Sequence, residues 1–150
     1  MLKSKVLTGL SLVAGAAVVA SGVALAQDAI AQRQQLMKAV GGATKQSVQM
    51  VKGEIPFDAA KAKASMDTIH KNWGAFAKLF PKGTETGGET TASPKIWQSF
   101  EEFDAKGKTM ADAAAKASVA AEQGEAPFKT AFGEVAKNCK GCHQEFRIKK

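Results

Sequence analysis

Apolar residues recur at alternating steps of three and four along most of the chain, the spacing that places side chains on one face of an α-helix. Four stretches carry this pattern, and Ala, Lys, Gln and Glu, which favour helix over strand, fill the positions between. The second stretch shows it most clearly, with Ala62, Met66, Ile69, Trp73, Phe76 and Phe80. The fourth repeats it with Phe128, Phe132, Val135, Cys139, Cys142 and Phe146. The pattern predicts four amphipathic helices.

Capping residues and prolines divide these stretches. The first helix is predicted over about residues 28–51, and the second begins near Asp58, a good N-cap, and ends before Pro81. A loop rich in Gly and Thr leads to Ser93, the expected N-cap of the third helix, with Pro94 in its first helical position.

The third helix is predicted to end at Gly124, and the fourth to open around Pro127. Because the first and third connections are short, successive helices should run antiparallel. The sequence therefore predicts an all-α fold, an antiparallel up-down four-helix bundle.

The N-terminal segment has a different character. Lys3 and Lys5 precede 21 uncharged residues rich in Ala, Gly, Val and Leu, which close on Ala24-Leu25-Ala26. This order is typical of a secretory signal peptide. An uncleaved membrane anchor is the alternative, since 21 uncharged residues can span a bilayer. We predict cleavage of residues 1–26, leaving a domain over residues 27–150 that works in the periplasm of a Gram-negative bacterium.

Composition and charge fit one globular domain with a basic surface. Of 150 residues 45% are hydrophobic and 23% charged, and 21 Lys and Arg stand against 14 Asp and Glu, a net charge of +7. The lysines are scattered over all the predicted helices, whereas a nucleic-acid site needs a concentrated basic stripe. Cleavage of the signal peptide removes two of these positive charges, Lys3 and Lys5. We expect acidic protein partners, no nucleic acid and, after cleavage, no membrane association.

The two cysteines carry the candidate chemistry. Cys139 and Cys142 are three residues apart, and His143 follows directly. C-x-x-C-H is the signature of covalent c-type haem attachment. Residues i, i+3 and i+4 share one face of a helix, so each thiol can form a thioether to a vinyl group while the imidazole reaches the iron. The motif predicts one haem c with His143 as an axial ligand.

Three other roles for the cysteines compete with haem attachment. A thioredoxin-like redox pair belongs in a βαβ context, which the helical pattern does not provide. A zinc site needs four N or S ligands, and His70, expected at the surface, is the only other histidine. A structural disulfide fits the spacing but leaves the adjacent histidine unexplained.

Only seven residues follow His143, so a sixth iron ligand comes from upstream or is absent. Four methionines lie in the predicted domain: Met37, Met50, Met66 and Met110. Met37 lies on the apolar face of the first predicted helix, close to one of its ends. It is the candidate sixth ligand.

Over residues 28–150 the chain resembles the class II cytochromes c, the cytochrome c′ family. The matching segments are residues 33–37, 52–58, 80–84, 94–97 and the terminal C-x-x-C-H-x-x-F-R motif. The resemblance implies a bundle whose fourth helix holds the haem and whose first helix covers its distal face. By position it makes His143 the proximal ligand and places Met37 over the distal face. It places Arg33 near a haem propionate and Arg147 beside the proximal histidine.

The resemblance implies two functions that differ at Met37. In many members of the family the iron is five-coordinate, and in a low-spin subgroup a Met binds it; Met37 is compatible with both. A Met bond favours one-electron transfer with redox partner proteins, because it raises the potential. An open apolar distal face would instead admit nitric oxide (NO) or carbon monoxide (CO). No catalytic constellation is visible, so we do not predict an enzyme. A homodimer is also implied, since the family often forms one.

Overall fold

The chain folds into a bundle of four long helices. The computed structural model describes residues 17–149, with side chains from residue 26 onward. In chain order the helices are α1 (Ala17–Val51), α2 (Ala59–Phe76), the short α3 (Lys95–Gln98), α4 (Phe100–Glu122) and α5 (Glu125–Phe146). The second long helix packs against α1 and α4, and α5 packs against α4. The predicted all-α four-helix bundle is confirmed.

α1 begins earlier than the sequence predicts. It starts at Ala17 and runs without a break past Ala26, the predicted cleavage point. Ala and Leu are strong helix formers, so this part of the chain continues the helical backbone. The rest of the predicted leader, residues 1–16, lies outside the described residues. Within the described range no helix is long and apolar enough to cross a membrane.

The predicted third helix is divided in two. Ser99 leaves the helical region with φ −136° and ψ 52°, so α3 ends at Gln98 and α4 begins at Phe100. Hydrogen bonds bridge the break, since the Ser99 N–H donates to the Lys95 carbonyl and the Phe103 N–H to the Ser99 carbonyl. The two helices form one bent unit.

Helix caps follow the sequence closely. The Asp58 carboxylate accepts the Lys61 N–H at 3.0 Å, which confirms the predicted N-cap of α2. The Ser93 hydroxyl accepts the Lys95 N–H at 3.3 Å at the start of α3. Gly124 joins α4 to α5 with φ +115°, a conformation that glycine adopts readily.

Aromatic rings close the bundle at the end that carries the C-x-x-C-H motif. Phe103 of α4 lies at their centre, and its ring centroid is 4.9–6.3 Å from five other rings. These rings belong to Trp73, Phe76, Phe80, Phe100 and Phe146. Edge-to-face pairs such as those of Phe103 with Phe80 and Phe146 add about 0.5–1.5 kcal/mol each beyond their buried area. This cluster fixes α2, α4 and α5 relative to one another.

Gly107 lets α2 and α4 approach closely. A Cβ atom at this position would lie 1.8 Å from Cζ2 and 2.0 Å from Cε2 of the Trp73 indole, far inside any allowed contact. The indole therefore packs directly on the α4 backbone. In the sequence Gly107 interrupts the apolar stripe of its helix. In the structure it is the position where Trp73, the largest side chain of α2, packs.

We expect Gly107→Ala to lower the free energy of unfolding by about 1–2 kcal/mol, because overpacking a rigid indole outweighs the better helix propensity of alanine. Chemical denaturation of the haem-loaded protein measures this. Gly133→Ala is the matched control, since nothing lies within 4 Å of a Cβ at that helical position. The control should raise the free energy of unfolding by up to about 1 kcal/mol. Equal behaviour of the two variants would contradict the close packing at Gly107.

Candidate functional site: a cleft between the first and last helices

The last two turns of α5 bring Cys139, Cys142 and His143 to one face. Both thiols are half-buried, and they form no disulfide. Burial raises the pKa of Cys139, and burial together with the neighbouring Cys139 raises the pKa of Cys142 to about 11. Disulfide oxidoreductases need a thiol whose pKa is lowered. The raised pKa values of both thiols therefore do not fit a thioredoxin-like redox pair.

His143 shares the same face of α5. Part of its ring is exposed to solvent, but partial burial, and to a lesser extent the positive charge of Arg147, lower the pKa of His143. The imidazole is therefore neutral at pH 7. The neutral form is the one that binds a metal ion.

A cleft separates α5 from α1. α1 packs on α2 and α5 on α4, whereas α1 and α5 meet sparsely and leave a space of about 780 Å³ between them. Met37 of α1 faces Cys139 and His143 of α5 across this space, and Thr91 and Ala92 of the loop before α3 line its rim. Its volume lies within the roughly 300–1,000 Å³ typical of cofactor sites.

A partly open inner cavity of about 80 Å³ continues the cleft into the bundle. Five residues line both spaces, so the two are the inner and outer parts of one site: Met37, Val40, Cys139, His143 and Phe146. The inner wall adds Trp73 and Phe76 of α2, Phe103, Gly107 and Met110 of α4, and Cys142. The predicted ligand residues thus meet in one space. Of these wall residues the sequence predicts only Cys142 as part of the site, because the periodicity of the others is that of any packed helix.

Arg33 lies beside this site and does not line it. Its side chain is 4% exposed, donates from Nη2 to the Thr84 carbonyl at 2.9 Å, and stacks with Cζ 4.7 Å from the centroid of the Phe80 ring. Burial lowers the pKa of Arg33, and Glu85 partly opposes this. Nε and Nη1 have no hydrogen-bond partner among the described residues. A buried cation with two free donors fits an anionic group such as a carboxylate of the cofactor.

Arg147 lies on the exposed rim of the cleft. Its Nε donates to Thr91 Oγ1 at 3.4 Å, and its backbone forms an antiparallel bridge with Ala92. The Ile148 N–H donates to the Thr91 carbonyl and the Ser93 N–H to the Phe146 carbonyl, both at 2.9 Å. The loop before α3 is thereby tied to the chain just after His143. The sequence analysis missed this pairing, because two residues of extended chain carry no periodic pattern.

The same loop also reaches α1. Gln34 Nε2 donates to the Glu89 carbonyl at 3.1 Å, and a Cβ at Gly88 would lie 3.6 Å from Cγ2 of Ile30. The loop therefore spans the mouth of the cleft from α1 to the end of α5.

A charged cluster holds α3 and α4 to α5 next to the motif. Glu145 binds Lys95 of α3 and, at 3.0 Å, Lys106 of α4. The hydrogen bonds from Lys95 and Lys106 lower the pKa of Glu145 to about 2. The Lys95 ammonium also lies 5.3 Å from the centroid of the Phe146 ring. This cluster too was missed, since its members are 50 and 39 positions apart in the chain.

The remaining histidine takes no part in the site. His70 lies exposed on α2, and its Nδ1 is 3.0 Å from the Ala111 carbonyl, to which it donates. The sequence analysis expected a surface histidine there, as observed. Within the described range, no group of three or more His, Cys, Asp or Glu side chains is arranged to hold a metal ion.

Comparisons with known proteins all point to one family. A family model described as Cytochrome C′ matches residues 28–147. A cytochrome c′ of Rhodopseudomonas palustris is 43% identical over 139 residues, 92% of this chain and 94% of that protein. A cytochrome c-556 of Agrobacterium tumefaciens (strain B2A) is 39% identical over 121 residues, covering 81% of this chain and 98% of the relative.

Solved structures match over the same region. Cytochrome c′ from Rhodopseudomonas palustris superposes with a TM-score of 0.78 at 41% identity, over 82% of this chain and 98% of that one. A nitric oxide complex of a variant cytochrome c′ from Alcaligenes xylosoxidans superposes with a TM-score of 0.74 at 31% identity, over 83% of this chain and 97% of that one.

The chain belongs to the cytochrome c′ family, as its resemblance predicted. Members are haem proteins that transfer electrons or bind gases, and they are periplasmic and not classed as enzymes. The predicted cofactor, one covalent haem c, is confirmed at the level of the family.

We expect Glu145→Gln to lower the melting temperature at pH 7, because it removes the carboxylate that both lysines bind. The pKa of Glu145 falls from 4.5 to about 2 on folding, so the ionised form stabilises the fold fully above about pH 4.5 and progressively less toward pH 2. The difference between wild type and variant should therefore shrink below pH 4.5 and vanish near pH 2. Thermal unfolding across this range measures it.

Glu134→Gln is the control for this measurement. Glu134 is an exposed α5 residue whose carboxylate lies 3.9 Å from Lys137, so its loss should change little. A deficit of Glu145→Gln that stays constant from pH 7 to pH 2 would contradict the charged cluster.

Proposed function

We propose that this member of the cytochrome c′ family is a periplasmic one-electron carrier in which Cys139 and Cys142 hold haem c and His143 is the axial ligand of its iron. One observation carries the proposal: the two thiols, the imidazole and Met37 line one continuous space between α1 and α5. Bound there, haem supplies an iron that alternates between two oxidation states.

Each site residue has a defined task under this proposal. The thiols of Cys139 and Cys142 would form thioethers with the two vinyl groups and hold the cofactor to α5. Neutral His143 would offer a nitrogen lone pair to the iron. Met37 of α1 would cover the opposite side and supply the sixth ligand. Apolar neighbours exclude water from the iron, and this lowers the cost of reorganisation when one electron moves.

The two arginines are assigned to the charged edge of the cofactor. Arg33 has two buried donors without a partner, which a propionate would satisfy. Arg147 stays on the rim beside His143, tied to Thr91, and keeps positive charge next to the exposed edge.

Export of the chain and acidic partners complete the proposal. The pattern of residues 1–26 supports removal of a leader and transport to the periplasm. Lys38, Lys45 and Arg147 line the cleft together with one carboxylate, Glu89, so the edge through which an electron would pass carries a net positive charge. Such a rim favours encounter with acidic redox proteins. A homodimer stays a prediction, consistent with the frequent dimers of cytochromes c′.

A second candidate function is the binding of NO or CO. The inner cavity beside Met37 is small and almost wholly apolar, and it would hold an uncharged diatomic molecule on an iron that Met37 leaves open. A solved structure of the relative from Alcaligenes xylosoxidans is a nitric oxide complex, which supports this candidate.

We expect the double substitution Cys139→Ala, Cys142→Ala to release all haem into acidified acetone, whereas the wild-type chain, produced in a host that matures cytochromes c, retains it. The reason is that only thioether bonds survive unfolding in acid. Lys140→Ala is the control, because this exposed residue lies inside the motif and contributes no bond. Wild-type haem that is fully extractable would contradict both candidate functions.

The substitution Met37→Ala separates the two functions. For an electron carrier we expect a low-spin, six-coordinate absorption spectrum in the wild type, and a high-spin spectrum in Met37→Ala, because the thioether ligand is lost. Spectra of the ferric and ferrous protein, with and without CO and NO, measure this. A wild type that is already high-spin and binds both gases, with Met37→Ala unchanged, would contradict the Met-ligated carrier and support the gas-binding function.

A further inference from the structure

The inner cavity contains an unsatisfied hydrogen-bond donor. Trp73 of α2 lines the cavity and is 6% exposed, yet its Nε1 has no acceptor among the described residues. A buried N–H without a partner costs about 1–3 kcal/mol, so such a group calls for an explanation. The other tryptophan, Trp97, has its N–H satisfied by the Pro81 carbonyl at 3.1 Å.

The position of this donor is held by packing. The six-membered ring of the indole packs with its face on Gly107, since a Cβ there would lie 1.8–2.1 Å from Cζ2, Cε2 and Cη2. Gly107 lines the cavity as well. Phe76 and Phe103 hold the ring from two further sides, with centroid distances of 5.7 and 5.2 Å. The indole therefore has little freedom to turn toward another acceptor.

A haem propionate does not explain the donor. Arg33, whose two free donors suit a propionate, stacks on Phe80 and lines neither the cleft nor the inner cavity. Trp73 does line the inner cavity, so a propionate held at Arg33 lies outside that cavity. The other edges of a porphyrin carry methyl and vinyl groups, which accept no strong hydrogen bond.

We infer that Trp73 determines the ligand specificity of the inner cavity by donating a hydrogen bond to the outer atom of a diatomic molecule bound on the Met37 side of the haem. This inference rests on the second candidate function, the binding of NO or CO. Trp73 and Met37 line the same cavity, whose volume is about 80 Å³.

The remaining wall strengthens the assignment. Apart from His143, which the proposed function assigns to the iron, the side chains around the cavity are hydrocarbon, thioether or thiol groups. In such an apolar space one N–H is worth more than in water. Donors in a distal pocket decide which ligands a haem retains. The cavity should therefore favour diatomic ligands whose outer atom carries negative charge.

The test compares wild type with Trp73→Phe as ferrous, CO-bound, haem-loaded protein. A donor at the ligand's oxygen draws electron density into the C–O antibonding orbital and lowers the stretching frequency. We expect Trp73→Phe to raise this frequency in the infrared spectrum and to speed NO and CO release about fivefold, the worth of one ordinary hydrogen bond. Trp97→Phe is the matched control, because Trp97 does not line the cavity and its N–H donates to the Pro81 carbonyl; it should change neither quantity.

The same comparison in a Met37→Ala background keeps the distal position open whether or not Met37 binds the iron. An unchanged frequency in Trp73→Phe, with CO still bound, would overturn the inference and leave the gas-binding function standing. Failure of CO to bind in both backgrounds would overturn both. The wild-type spectrum alone decides if Trp73→Phe does not fold: a frequency equal to that of haem–CO in apolar solvent rules out the donor, and a lower one supports it.

Discussion

The aromatic cluster around Phe103 is the interaction on which the site depends. It joins α2, α4 and α5 through rings packed 4.9–6.3 Å apart, and Phe146 brings in the end of α5 only three residues after His143. α1 packs on α2 and contacts the cluster through the Arg33 guanidinium on Phe80, but it meets α5 only sparsely. The first and last helices therefore stay apart next to the motif. The space for a flat cofactor follows from this unequal packing.

Polar groups then distinguish the two ends of that space. A buried guanidinium and a buried indole N–H each carry free donors, one beside the loop at Thr84 and one deep against Gly107. Buried donors without partners destabilise the fold, so each marks a place where a bound group would supply the missing hydrogen-bond acceptor. The anionic group belongs at the Arg33 end, because a carboxylate in the apolar inner cavity would be costly. A neutral molecule suits the other end.

Local chemistry explains what the sequence could predict. Periodicity placed the four long helices, and the side chain of Asp58 marked the start of α2, since both depend on neighbours within a few residues. The motif on α5 was readable for the same reason. The bend at Ser99 and the binding of Glu145 to two lysines depend on partners far along the chain, which leave no periodic trace. The packing of the Trp73 indole on Gly107 could not be predicted, because it depends on how α2 and α4 lie against each other.

The two candidate functions share one architecture and differ by one bond. Met37 and Trp73 line the same inner cavity, and they suit different states of the iron. A thioether bound to the iron fills the distal position and leaves the indole N–H nothing to bind, which favours a fixed coordination and electron transfer. An unbound thioether leaves the position to a small ligand that the N–H can stabilise. In an electron carrier the Trp73 N–H stays without an acceptor and destabilises the fold. In a gas-binding protein the same N–H gains an acceptor in the bound ligand. Whether this N–H is hydrogen-bonded therefore distinguishes the two functions.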